Sequence, residues 1–131
     1  MAETRRAERP LSPHLQIYRW TVTMTVSVLH RITGAALYFG VVLLLWWLLA
    51  AAISDSAFET VESVFSHWLG ELVLFGFSWA LIHHMLGGIR HLIWDTGRGL
   101  DLRSANQLAW ANIGGSIVLT VLLWVVVLWA R

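Results

Sequence analysis

Cysteine is absent from this chain of 131 residues, and so is lysine. Without thiols it cannot ligate an iron–sulfur cluster, attach a c-type haem, build a thiolate zinc site or close a disulfide. A metal or haem iron would have to take nitrogen or oxygen ligands, and six histidines are available. Charge is scarce too. Asp, Glu, Lys and Arg make up 13% of the residues, against roughly 25% in a soluble domain. The formal net charge of +1 offers no field for a polyanion, so nucleic acid is not an expected partner. The first ten residues hold no apolar stretch, which argues against a secretory signal, and they are too acidic for an organelle transit peptide. A bacterial inner membrane is the simplest home, ahead of a mitochondrial one.

What the chain does have is apolar length: 57% of its residues are hydrophobic, and its mean hydropathy is +0.65. Three uncharged runs stand out, at residues 32–53, 72–89 and 104–130, the first extended backward by the apolar but Arg-containing stretch 21–31. Crossing about 30 Å of hydrocarbon takes about 20 helical residues. The expected fold is an all-α membrane protein of three transmembrane helices, spanning about 23–53, 68–93 and 105–130, with residues 1–20 as an arm and 21–131 as the membrane domain. Arg5, Arg6, Arg9, Arg19, Arg31, Arg90, Arg98 and Arg103 fall on the side of the N-terminus and the second loop, and Arg131 alone on the other. The positive-inside rule then predicts a cytoplasmic N-terminus and an outer C-terminus. The first loop, 54–71, carries Asp55, Glu59, Glu62 and Glu71 and no arginine. Trp20 and Trp94 near the inner ends, with Trp47 and Trp129 near the outer ends, suit interfacial belts.

Both prolines lie in the segment Arg9-Pro-Leu-Ser-Pro-His-Leu-Gln-Ile-Tyr18. Proline lacks a backbone donor and disfavours helix at the residue before it, so an extended arm is expected, either docked on a soluble partner or lying at the interface.

Ionisable groups at membrane depth are costly, and this chain has two clusters of them. The first is Ser27-Val-Leu-His30-Arg31 at the inner end of the first span. Ser27 and Arg31 share a helix face by i, i+4 spacing, and His30 adjoins it. Hydroxyl, imidazole and guanidinium together make a donor-rich pocket for a quinone carbonyl or a carboxylate; an arginine snorkelling to lipid phosphate is the plainer reading. The second cluster is His83-His84-Met-Leu-Gly-Gly-Ile-Arg90-His91-Leu-Ile-Trp-Asp95. His84, Gly88, His91 and Asp95 recur at intervals of 4, 3 and 4 and form one stripe. His84 lies six residues, roughly 9 Å along the axis, inside Arg90. An imidazole at that depth needs a partner. Haem iron would supply one, with Gly87 and Gly88 clearing room for a flat macrocycle and Arg90 and His91 at propionate depth. A hydrogen bond to a neighbouring helix, with the glycines allowing close packing, meets the need equally, and a different metal is the third choice. His83 lies about 100° away and is expected to be a hydrogen-bonded core residue. No His-Glu-x-x-His pattern supports a zinc protease. His67 and Trp68 read as interfacial residues, and His14 belongs to the arm.

Three blocks in order resemble the cytochrome b subunit family of succinate dehydrogenase, the larger membrane anchor of respiratory complex II. They are the proline-bearing segment ending at Tyr18, Ser27-Val-Leu-His-Arg-Ile-Thr-Gly34, and His84-Met-Leu-Gly-Gly-Ile-Arg-His-Leu-Ile-Trp-Asp95. The last two are similar to the family patterns Ser-x-x-His-Arg-x-(Ser/Thr)-Gly and His-x-x-x-Gly-x-Arg-His-x-x-x-Asp. The resemblance covers residues 9–95; the third span matches only as an apolar helix. It implies a partnership with a second three-helix anchor subunit and one shared haem b with an axial histidine from each subunit. His84 is the implied ligand here, because it and not His83 keeps the spacing to Gly88, Arg90 and His91. Ser27 and Arg31 are the implied quinone-binding residues, and His30, Arg31 and His91 the implied propionate contacts. The resemblance further implies a flavoprotein and an iron–sulfur subunit on the cytoplasmic face, feeding electrons from succinate to quinone. His30 and bound water are candidate proton donors, while the family's proton-donating tyrosine belongs to the partner subunit. The alternatives are a fumarate reductase anchor running the chemistry in reverse, and a haem-free structural or transport subunit in which His84 only hydrogen-bonds.

Overall fold

A computed structural model describes residues 18–130. The expectations for the arm before Tyr18, His14 and its arginines included, and for Arg131 lie outside the described residues. Within them the chain forms four helices: α1 Val22–Ile53, α2 Asp55–Phe65, α3 Trp68–Asp95 and α4 Leu102–Ala130. Three are long and apolar enough to cross a membrane, at 32, 28 and 29 residues, or about 42–48 Å at 1.5 Å per residue.

Each helix starts where a side chain takes up an orphan amide. Thr21 accepts from the Met24 N–H at 3.3 Å, Ser54 from Ala57 at 3.2 Å, His67 Nδ1 from Leu69 at 3.3 Å and Asp101 from Ser104 at 2.9 Å. The bonds from Ser104 hold the Asp101 carboxyl below its ordinary pKa. Between α3 and α4 the chain turns through Gly97 and Gly99, whose φ angles of 76° and 72° suit residues without a Cβ.

The helix α2 was not among the three expected. One extended residue, Ser54, ends α1 and starts α2. The segment is amphipathic: Val61 is buried, Ala57, Phe58 and Phe65 are half-buried, and Asp55, Glu59 and Glu62 are exposed. Phe58 meets Trp47 and Phe65 meets Trp46, with ring centroids 5.9 and 6.1 Å apart, so α2 lies against the C-terminal end of α1. A Cβ at Gly70 would strike the backbone of Val64 and Phe65, which makes glycine a requirement of this corner.

Among the described residues the interior is largely polar. Val26, Ala50, Val61, Ala80 and Ala109 are the buried apolar residues, whereas Thr33, His83, Arg90, Asn112, Ser116 and Thr120 are all buried. Leu, Val, Phe and Trp side chains face outward along all three spans. That inversion suits lipid, which gives no hydrophobic drive between helices and leaves small and polar residues to hold them together. The pairs Phe75–Trp124, His83–Ser116 and Leu86–Gly115 run in opposite directions along α3 and α4, so the two helices are antiparallel.

Candidate functional site

Helix α1 delivers His30, and α3 delivers His84 and His91, to one place near the ends of the two helices that carry Thr21 and Asp95. The His30 and His84 rings stack face to face, with centroids 4.0 Å apart and planes 2° from parallel. His91 is exposed, with its ring 5.4 Å from His30 and 5.2 Å from Trp94. Two glycines permit this approach. A Cβ at Gly87 would collide with the His30 ring, and one at Gly34 would come within 2.9 Å of His84 Cε1. Gly87 thus allows the close packing of α1 on α3. At Gly88 a Cβ would meet nothing within 4 Å.

The hydrogen bonds of His84 select its tautomer. Its Nδ1 lies 3.1 Å from the main-chain carbonyl of His30 and 3.4 Å from Thr33 Oγ1. The carbonyl can only accept, and the Thr33 hydroxyl already donates to the carbonyls of Leu29 and His30, at 2.8 and 3.1 Å. Nδ1 therefore carries a proton, and in the tautomer that this bond selects the lone pair sits on Nε2. Metal-ligating histidines are oriented in this way, with the second nitrogen donating to a carbonyl or carboxylate. His84 is half-buried, beside the open face at Gly88. These residues fit a haem: His84 would hold its iron through Nε2, the space at Gly88 would admit it, and the group would supply redox chemistry there. A bare metal ion fits them less well, since no three His, Asp or Glu among the described residues gather to hold one.

Ser27 is half-buried and Arg31 is exposed, one turn apart on α1. Neither forms part of the histidine stack. His83 is fully buried and hydrogen-bonds Ser116 Oγ at 3.2 Å, as expected of a core residue. Sequence reasoning gave no role to Thr33, although its position three residues after His30 places it on the neighbouring helix face. Nor did it single out Asn112 or Ser116. The groove of about 370 Å³ lined by Gly40, Leu43, Trp47, Phe65, Val73 and Phe77 lies far from the histidines and carries no group suited to chemistry.

The transmembrane subunit family of succinate dehydrogenase and fumarate reductase matches residues 5–123. The succinate dehydrogenase cytochrome b556 subunit of Paracoccus denitrificans is 48% identical over 122 residues, covering 93% of this chain and 94% of its own length. That of Rickettsia conorii is 40% identical over 118 residues, covering 90% of this chain and 92% of its own. The mitochondrial cytochrome b560 subunit of Sus scrofa is 43% identical over 106 residues, 77% of this chain and 61% of its own. Three apolar spans and relatives of this kind make the protein a multi-pass component of a bacterial inner membrane. It belongs to the succinate dehydrogenase/fumarate reductase transmembrane subunit family.

Proposed function

We propose that the chain is the cytochrome b membrane anchor of a succinate dehydrogenase, that His84 is one axial ligand of a haem b shared with a second three-helix anchor subunit, and that Ser27 and Arg31 form part of the quinone-reduction site. The observation that carries this reading is the His84 imidazole, whose Nδ1 proton is engaged by the His30 carbonyl while Nε2 is left to accept. The open surface at Gly88 supports it, since a flat ligand could lie there without meeting a side chain. The partner anchor would cover this face and contribute the second axial histidine.

The bound haem supplies one-electron redox chemistry; the residues of this chain bind and orient it. The stack on His30 and the hydrogen bond to its carbonyl hold the His84 ring in one orientation. His30, Arg31 and His91 are the groups available to its propionates. Quinone reduction adds two electrons and two protons, with negative charge developing on the quinone oxygens. The Ser27 hydroxyl can donate to one such oxygen, and the Arg31 guanidinium stabilises the charge as it forms. The arginine distribution supports a cytoplasmic position for these groups, on the side where an iron–sulfur subunit carrying electrons from the flavoprotein would dock. Succinate itself is handled by those partners.

An optical difference spectrum of the purified complex, reduced minus oxidised, tests the ligand. The expected b-type signal disappears in His84→Ala while the chain stays in the membrane. Survival of that signal would leave His84 with only a packing and hydrogen-bonding role.

A further inference from the structure

The interior of the bundle between α3 and α4 holds a second polar cluster, independent of the haem reading. His83, Arg90 and Asn112 are at most 3% exposed. Among the described residues, no hydrogen-bond partner meets His83 Nε2, Arg90 Nε and Nη1, or the Asn112 amide nitrogen and oxygen. The 3.2 Å bond between His83 Nδ1 and Ser116 Oγ sets the register of the antiparallel pair. Counting from it, Asn112 stands level with Gly87. It therefore falls between His83, about 6 Å deeper, and Arg90, about 4.5 Å nearer the helix end. On the α1 side of that level the His30 ring takes the place of a Gly87 side chain, and its buried Nδ1 is a further atom with no hydrogen-bond partner among the described residues.

We propose that this seam is a binding site for ordered water, a short file of molecules bridging the Arg90 guanidinium, the Asn112 amide and His83 Nε2. The hydrogen-bonding sense of each group selects the occupant. The Ser116 hydroxyl donates to the Ile113 carbonyl at 2.9 Å, so it accepts from His83 Nδ1, and His83 Nε2 is an acceptor only. Arg90 is a donor only, and Asn112 is both. An anion would satisfy Arg90 but not His83 Nε2, and an apolar group would satisfy none of them. Water donates and accepts, and buried water settles where two to four polar partners converge. Arg90 lies about 120° around α3 from His84, away from the face proposed for haem. Its guanidinium carbon sits 4.7 Å from the Trp94 ring centroid, so the indole covers one face and leaves the N–H edge to be hydrated. The file would solvate a cation at membrane depth without exposing it to lipid.

A map of the intact complex at a resolution that shows solvent tests the site. The expected result is at least two water peaks within hydrogen-bonding distance of these three side chains. Empty density there, or a non-solvent group on Arg90, overturns the proposal. A second arm compares the melting temperature of the complex carrying Asn112→Leu with that of the unaltered complex. A hydrated amide predicts a fall of several degrees, because the bridging waters lose a partner. A rise would mean that leucine had replaced a dry, unpaired amide, and would also overturn the proposal. The haem spectrum reports separately on His84, so failure here leaves that reading untouched.

Discussion

His83 and His84 are neighbours in the chain and separate by about 100° around α3, and their surroundings differ accordingly. Hydrogen bonding places the proton of both rings on Nδ1, toward Ser116 in one case and the His30 carbonyl in the other. His83 Nε2 is sealed inside the bundle, whereas His84 is half-buried beside Gly34 and Gly88. Tautomer alone does not make a ligand; access by an iron centre is the second requirement, and only the outward ring meets it. The largest expected effect follows. Replacing His84 by alanine should abolish the b-type spectrum, while His83→Gln, which keeps a polar side chain near Ser116, should retain it. A reversed pattern would exchange the roles of the two faces.

The arginines divide in the same way, Arg31 exposed on α1 and Arg90 buried behind α3. If Arg31 stabilises charge on quinone oxygen, Arg31→Ala should slow quinone reduction by roughly 100-fold, the scale seen when one preorganised oxyanion donor is lost. Succinate oxidation by an artificial acceptor should continue in the same preparation. Ser27→Ala removes a neutral donor and should cost less, about 1 kcal/mol or some fivefold. Equal loss of both activities in either variant would mark the residue as one needed for assembly.

The sequence made the outward face legible and left the inward one obscure, for a physical reason. The three spans follow from apolar run length. The choice of His84 over His83 follows from the resemblance to the family pattern, because His84 alone keeps its spacing to Gly88, Arg90 and His91. The His30–His84 stack, the need for glycine at position 87 and the alignment of Asn112 with that level depend on how two helices register against each other, which spacing within one helix does not encode. Helix α2 did leave a signal: Ala57, Phe58, Val61 and Phe65 recur at helical intervals behind the cap residue Ser54. The acidic residues Asp55, Glu59 and Glu62 mask that signal, because charge and helical periodicity point to different structures there.

Gly87 and Gly88 offer the finest test of the two faces, since both substitutions add one methyl group. In Gly87→Ala the methyl meets the His30 ring, wedged between α1 and α3. Overpacking of this kind costs about 1–3 kcal/mol, and displacing His30 would also disturb the carbonyl that orients His84. Thermal unfolding of the complex should therefore shift downward, together with a change in the haem spectrum. In Gly88→Ala the methyl enters space that no atom of this chain occupies within 4 Å, and alanine favours helix over glycine by up to about 1 kcal/mol. The bundle itself should be unharmed, so any effect must come from what the assembled complex lays against that face. A spectral change without loss of bundle stability would locate the haem at Gly88. A Gly88→Ala variant identical to the unaltered complex in both measurements would move the haem elsewhere on the face, because a macrocycle seated on His84 could not be indifferent to a methyl group one turn away.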